Sequence, residues 1–264
     1  MLSRPCLCVA LAMSLNFQST GQAASWIENR TLSFDTTLDT NAGVLRDDQV
    51  FAKAWRQAPS IRSLGLPENA ELSALAVSAG DSYFVADTSY ILSGELVTPR
   101  DIVRRTDAGV STIFLRGSEL GLPQASRIVS LAFNGADVLF SLDTAATFGP
   151  VTAKAIDILS WNGATVSIAY AGSAMGIPDS TRITALERLA SGRLLIAVDS
   201  HAQIGGISAG PGDLLEFDPG SGQWDMSRAS ARLGVTCQPC TITALAADGP
   251  VGAIFRSGLE ADED

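Results

Sequence analysis

The residues of this sequence best suited to chemistry are eight aspartates that recur at regular positions. They form the pairs Asp35/Asp48, Asp87/Asp101, Asp143/Asp157 and Asp199/Asp213, whose partners lie 13 or 14 residues apart. A threonine or serine follows the first aspartate of every pair. Calcium takes six to eight oxygen ligands, and two carboxylates beside a hydroxyl group could begin such a shell. Calcium is therefore the one ion that the pattern favours as a cofactor.

The same aspartates have a purely structural alternative. Aspartate side chains accept hydrogen bonds from nearby backbone N–H groups and so hold turns in place. Both members of a pair bracket a predicted loop between two strands, where such turns are needed. Turn capping and calcium binding use the same carboxylate oxygens, so the sequence leaves both roles open.

Catalytic constellations are sparse. Asp199, Ser200 and His201 contain the three residue types of a catalytic triad, but a triad is defined by geometry in space and not by adjacency in sequence. Paired carboxylates could also hydrolyse a glycosidic bond. Fourfold repetition argues against this use, because an active site generally breaks the symmetry of its scaffold. No catalytic residue is assigned, and the sequence favours a protein that is not an enzyme.

Cys237 and Cys240 are predicted to form a small disulfide. The signal peptide predicted at residues 1–24 would export the chain to an oxidising compartment, where disulfides form. A redox role for this CxxC pair would need a βαβ context and a helix N-terminus to lower the thiol pKa, and neither is indicated. A zinc site would need further ligands, and His201 is the only histidine of the chain.

A unit of about 56 residues repeats through the chain. Its openings are Gly65-Leu66-Pro67, Gly121-Leu122-Pro123, Gly176-Ile177-Pro178 and a drifted Gly234-Val235. Each unit contains four short apolar runs separated by turn-forming residues, and in the third unit these are 183–189, 194–199, 213–218 and 223–228. Four antiparallel strands repeated at a fixed period are typical of a propeller blade.

The two ends of the repeat array complement each other. The N-terminal part holds a second, third and fourth run, and the C-terminal part holds a first run and a partial second, namely 32–35, 48–55, 60–64, 242–245 and 253–256. Both ends therefore offer a second run for the same strand position of the closing sheet. The N-terminal run 32–35 keeps Asp35 and is assigned to this position. The sequence thus predicts an all-β fold, a four-bladed propeller closed by pairing of its termini, or alternatively five blades with one degenerate.

Residues 1–24 are predicted to be a signal peptide, because Arg4 precedes an apolar stretch of secretory length and small residues follow it. Residues 25–264 then form a single domain, exported to the periplasm or the medium. The formal net charge of −10 opposes binding to nucleic acid, which needs clustered Lys and Arg. No second apolar stretch has membrane-spanning length, so membrane insertion is not expected.

Residues 87–104 contain Asp-Thr…Asp-Ile-Val-Arg and residues 65–75 contain Gly-Leu-Pro…Ala-Leu, and variants of both motifs recur along the chain. They resemble tandem repeats of secreted bacterial proteins of unassigned function, over residues 32–257. The family's acidic pair before the third strand is only partly kept here, as Asp47-Asp48, and the corresponding positions elsewhere are Arg100-Asp101, Ile156-Asp157 and Gly212-Asp213. The resemblance implies a β-propeller-like, secreted protein and implies no activity.

These features favour a monomeric, non-enzymatic propeller that serves as a binding or scaffold module for an unidentified protein or glycan. The alternative is an extracellular hydrolase that acts on a carbohydrate polymer through carboxylates in the propeller channel. Small residues at inner-strand positions, Ser73, Ser130, Thr184 and Thr243, are expected to be equivalent to one another and to suit the crowded axis.

Overall fold

The computed structural model describes residues 30–34, 38–40, 43–45, 49–53, 60–67, 70–228 and 242–247. Every regular element within these residues is a β-strand, which confirms the predicted all-β class. None of the described segments forms a helix with the length and hydropathy that crossing a bilayer would require. Several predicted features lie outside the described residues: the signal peptide, Asp35, Asp48, Cys237, Cys240 and the side chain of Thr243.

The strands fall into groups that follow the repeat units. The first group comprises β1 (Arg30–Phe34), β2 (Leu38–Thr40), β3 (Gly43–Leu45), β4 (Gln49–Lys53) and β5 (Ser60–Ser63). The second comprises β6 (Leu72–Ser78), β7 (Asp81–Ala86), β8 (Tyr90–Leu92), β9 (Glu95–Val97), β10 (Ile102–Arg105) and β11 (Ser111–Leu115). The third comprises β12 (Ile128–Asn134), β13 (Asp137–Leu142), β14 (Ala146–Phe148), β15 (Val151–Ala153), β16 (Ile158–Trp161) and β17 (Val166–Tyr170). The fourth comprises β18 (Ile183–Arg188), β19 (Leu194–Val198), β20 (Ala202–Ile204), β21 (Ile207–Ala209), β22 (Leu214–Asp218) and β23 (Gln223–Arg228), and β24 (Ile242–Ala247) follows.

Each unit folds as one antiparallel sheet of four strands, as the four apolar runs predict. The second sheet has the order β6-β7-β10-β11, the third β12-β13-β16-β17 and the fourth β18-β19-β22-β23. The first sheet has the order β24-β1-β4-β5, so its inner strand comes from the far end of the chain. The inner strands β6, β12, β18 and β24 are neighbours, and each contacts the next.

The core lies between the faces of adjacent sheets. One cluster of buried side chains joins the second and third sheets, and another joins the third and fourth. Because a sheet packed between two others is covered on both faces, its central strands need apolar residues at every position. All five residues of β19 are buried accordingly, whereas the outer strand β11 alternates between covered and exposed residues.

Small two-stranded hairpins occupy the loop between the second and third strand of each unit, and the sequence prediction missed them. They are β2–β3, β8–β9, β14–β15 and β20–β21. Their turns can be recognised by glycine in the sequence, because two-residue hairpin loops favour residues that adopt a positive φ. Ser93 and Gly94 have φ of 52° and 88°, Gly205 and Gly206 have 57° and 87°, and Gly149 has 53°. The prediction that only turn-forming residues separate the runs 194–199 and 213–218 is therefore wrong, since this segment contains strands β20 and β21.

Candidate functional site

The first aspartate of each described pair exchanges two hydrogen bonds with the residue that precedes the inner strand. Asp87 Oδ1 accepts the Glu71 N–H at 2.8 Å, and the Asp87 N–H donates to the Glu71 carbonyl at 2.9 Å. Asp143 makes the same exchange with Arg127, and Asp199 makes it with Arg182. The side chain thus extends the pairing of the first two strands by one more step.

The second aspartate of a pair joins two segments that are distant in sequence. Asp157 is buried, its Oδ2 accepts the Lys154 N–H at 2.8 Å, and its Oδ1 accepts the Gly172 N–H at 2.8 Å. Lys154 follows the small hairpin of the unit and Gly172 follows the outer strand β17. One carboxylate therefore fixes the start of the third strand against the end of the fourth.

Asp101 repeats this arrangement in the second sheet. Its Oδ2 accepts the Thr98 N–H and its Oδ1 accepts the Gly117 N–H, both at 2.8 Å. The Thr98 hydroxyl donates a further bond to Oδ2. In the fourth sheet, Asp213 Oδ2 accepts the Gly210 N–H at 2.8 Å.

Glycine is required where the carboxylate meets the end of the outer strand. A Cβ atom at Gly172 would lie 2.2 Å from the Ile156 carbonyl oxygen, and one at Gly117 would lie 2.4 Å from Arg100 Cγ. Both distances are far inside van der Waals contact. The repeat pattern alone does not single out these two glycines, although each lies two residues after the end of an outer strand.

The observed contacts are those of turn capping. Each of the six described aspartates of the repeat accepts at least one backbone N–H. Among the residues that the structure describes, no group of three or more His, Cys, Asp or Glu side chains gathers to hold a metal ion. Calcium at these loops stays a prediction.

A melting experiment checks the calcium prediction. A cation that binds only the native state raises the free energy of unfolding by about 2.7 kcal/mol at a hundredfold excess over Kd. If the Asp-bracketed loops bind calcium, Tm in millimolar Ca²⁺ is expected to exceed Tm in the presence of a chelator. Coinciding curves, with magnesium as the control cation, would leave these aspartates as turn caps alone.

Asp199 and His201, two of the three triad-type residues, make separate contacts in the structure. Asp199 directs Oδ1 to the Arg182 N–H at 2.9 Å and Oδ2 to the Arg182 guanidinium Nε at 3.2 Å. The His201 ring packs over Gly210, where a Cβ atom would lie 2.5 Å from the imidazole Cε1. Asp199 is therefore committed to the strand-end exchange described above.

The register of the inner strands corrects one alignment made from the sequence. Ser73, Ser130 and Thr184 were expected at equivalent positions, and this prediction is wrong. Ser130 lies level with Ala74, and Val129 lies level with Ser73. The spacing from the unit openings Gly65 and Gly121 gives the same correspondence of Ser130 with Ala74.

Hydroxyl groups of these strands link neighbouring sheets. Ser73 Oγ of the second sheet donates to the Ile128 carbonyl of the third at 2.7 Å. In the third sheet, Ser130 Oγ and Ser141 Oγ lie 2.6 Å apart, and Ser141 Oγ donates to the Ile183 carbonyl of the fourth sheet at 3.2 Å. These buried side chains hold the sheets together and do not line an open site.

No protein-family model matches the chain, and no curated protein matches it. Among solved structures it is similar to YCF48 bound to a D1 peptide, at 10% identity over 76% of this chain and 69% of that one, with a TM-score of 0.30. It is similar to a luciferin-regenerating enzyme at 9% identity over 74% of this chain and 60% of that one, with a TM-score of 0.37.

A third solved structure is a streptogramin B lyase, at 12% identity over 76% of this chain and 59% of that one, with a TM-score of 0.31. The chain thus spans less than two thirds of the length of the luciferin-regenerating enzyme and of the lyase. These three neighbours are β-propeller-type proteins. At such TM-scores they assign neither an activity nor a ligand to this chain, and the particular repeat family of the sequence resemblance stays a prediction.

Proposed function

We propose that the chain is a four-bladed β-propeller, closed by pairing of β1 with β24, that acts as an exported, non-enzymatic binding or scaffold module. Four sheets of four strands and the mutual contacts of β6, β12, β18 and β24 support the blade count. The antiparallel register of β1 with β24, with Leu32 opposite Leu245, supports the closure. Export and the disulfide of Cys237 with Cys240 belong to the same proposal.

The observation that carries the non-enzymatic role is the use of the repeated carboxylates. General acid–base and nucleophilic chemistry need carboxylates that are free to exchange protons or to approach a substrate. In Asp101 and Asp157 both carboxylate oxygens accept backbone N–H groups inside the fold. The repeated aspartates therefore stabilise the blades. We assign ligand recognition to the hairpins, whose sequences differ from unit to unit.

One side chain keeps the hydrolase as a second candidate. Glu187 is a buried acid on the inner strand β18, where the second and third sheets have Ala76 and Ala132. An acid that departs from the repeat symmetry near the axis is what a channel active site would require. A glycosidase would need a second carboxylate at about 5–10 Å from it.

The two candidates are separated by assaying binding and turnover on the same preparation. The purified protein is applied to a glycan array and to a displayed library of random peptides, and a panel of polysaccharides is tested for release of reducing ends. We expect a retained ligand without turnover. Release of reducing ends that Glu187→Gln abolishes would establish the hydrolase instead, and the absence of both ligand and turnover would contradict the binding module.

A further inference from the structure

The hairpin of the second sheet differs from its counterparts on its outward face. In the three hairpins whose side chains the structure describes, the central cross-strand pair is exposed to solvent: Thr147 with Thr152 in the third sheet, Gln203 with Ser208 in the fourth and Ile91 with Leu96 in the second. Ile91 is 64% exposed and Leu96 is 55% exposed. The two polar pairs show that the hairpin fold does not need an apolar pair at this position.

The opposite face of the same hairpin is anchored in the core. Tyr90 and Leu92 pack against the buried cluster that contains Phe84 and Val103. Burial, and to a smaller extent the nearby Asp101 carboxylate, raises the pKa of Tyr90 to about 12. Side chains alternate between the two faces of a strand. Because Tyr90 and Leu92 face the core, Ile91 lies on the solvent-exposed face.

Arg116 holds the hairpin beside the outer strand β11. Its guanidinium donates to the Leu96 carbonyl and to the Glu95 carboxylate, and it lies 3.6 Å from Asp101. The third sheet has Ala171 at the corresponding position, immediately before the glycine that meets the capping aspartate. The link between hairpin and outer strand is thus a feature of the second sheet and not of the repeat.

A groove of about 320 Å³ lies between the two elements. Its walls are the hairpin residues Leu92, Ser93 and Glu95, the whole of β11, and Arg116 with Glu119. Phe114 of β11 is 38% exposed. We refer to these residues together with Ile91 and Leu96 as the β11 groove.

The strand that forms the long wall of the β11 groove is a sheet edge. Within the described residues β11 pairs with β10 on one side only, so its other side presents backbone N–H and C=O groups that can pair with a further strand. Natural edge strands commonly carry charged residues that prevent such pairing. The fourth sheet follows this rule with Asp225 on β23, whereas β11 (Ser-Thr-Ile-Phe-Leu) and β17 (Val-Ser-Ile-Ala-Tyr) carry no charge. Of these two uncharged edges, β11 is the one that lines the groove.

We propose that the β11 groove binds an extended segment of a protein partner, which adds a strand to the edge of β11. This mode draws affinity from main-chain hydrogen bonds and specificity from alternate side chains. Apolar side chains of the segment contact Ile91, Leu96 and Phe114. The proposal rests on the proposed binding function and names its surface and its class of partner.

The negative charge of the β11 groove favours a basic segment as its occupant. The groove is rimmed by Glu95 and Glu119 against the single Arg116, which already bonds Glu95. The protein as a whole carries a formal net charge of −10, so a segment with Lys or Arg between its apolar residues is attracted, whereas a second copy of this chain is repelled.

Selection from a displayed library of random dodecapeptides tests the proposal. Peptides enriched on the wild-type protein are synthesised, and their Kd is measured against the double variant Ile91→Thr with Leu96→Thr, which copies the Thr147–Thr152 pair of the third sheet. We expect alternating apolar and basic residues in the enriched peptides and at least a tenfold weaker Kd for the variant. Glu119→Gln is expected to weaken binding about threefold at low salt, because it removes one attractive charge.

The matched control is Ile168→Thr, which removes a 40% exposed apolar residue from the outer strand β17 of the third sheet and is expected to leave Kd unchanged. Enriched peptides that bind the double variant as tightly as the wild type would overturn the β11 groove and leave the binding function standing. The absence of any enriched peptide or glycan would contradict both. Self-association of the wild type that the double variant abolishes, measured by analytical ultracentrifugation, would make a second copy the occupant and overturn the proposal.

Discussion

A chain that ends at residue 241 is expected to lose its cooperative unfolding transition. Strand β24 pairs with β1 along its length and also contacts β6 and β18. Ile242 is fully buried, and its N–H donates to the Pro211 carbonyl at 3.2 Å. Removal of β24 therefore deletes the inner strand of the first sheet and the contacts of that sheet with both neighbours.

The expected loss is of the same order as the stability of an ordinary domain. Burial of one large aliphatic side chain contributes about 1.5–3 kcal/mol, and β24 adds the ladder to β1 and two interfaces between sheets. Native domains are stable by only about 5–15 kcal/mol. Circular dichroism and urea unfolding of the shortened chain are expected to show no sigmoidal transition.

A chain that ends at residue 247 is the matched control, because it keeps β24 and both Cys237 and Cys240. This control is expected to unfold cooperatively, like the full chain. A wild-type transition in the chain that ends at 241 would show that the ring does not depend on its terminal strand, and would contradict the proposed closure.

The strand positions within a unit could be derived from the sequence alone. The predicted runs 183–189 and 223–228 correspond to Ile183–Arg188 and Gln223–Arg228, because apolar runs bounded by Gly and Pro turns mark buried strands well. The three-residue strands of the hairpins are too short for such a pattern. They form because a two-residue turn with positive φ brings them together, as at Gly205-Gly206.

The partners of the aspartates could not be derived in the same way. Asp157 and Gly172 are 15 residues apart, and their contact depends on the register of two strands and on a bulge between Ile158 and Leu159. Residue types alone allow a carboxylate either to accept an N–H or to bind a cation, since both roles use the same oxygens. Only the fold shows which donors reach Asp157.

Replacement of Asp157 by alanine is expected to lower the free energy of unfolding by about 2–5 kcal/mol. The carboxylate accepts the Lys154 and Gly172 N–H groups, both at 2.8 Å. Each buried donor left without an acceptor costs about 1–3 kcal/mol, and Asp157 itself is buried. Urea unfolding should show a lower midpoint with an unchanged slope.

Asp179→Ala is the control for the loss of a negative charge beside the same lysine. Asp179 is exposed and pairs with Lys154 Nζ at 2.9 Å, and an exposed ion pair contributes little to stability. Asp157→Asn should recover no more than one of the two lost hydrogen bonds, because its amide offers an acceptor to one N–H and a donor to the other. Equal stabilities of Asp157→Ala and Asp179→Ala would show that the buried aspartate does not hold β16 against the end of β17, and that the turn-capping role is wrong.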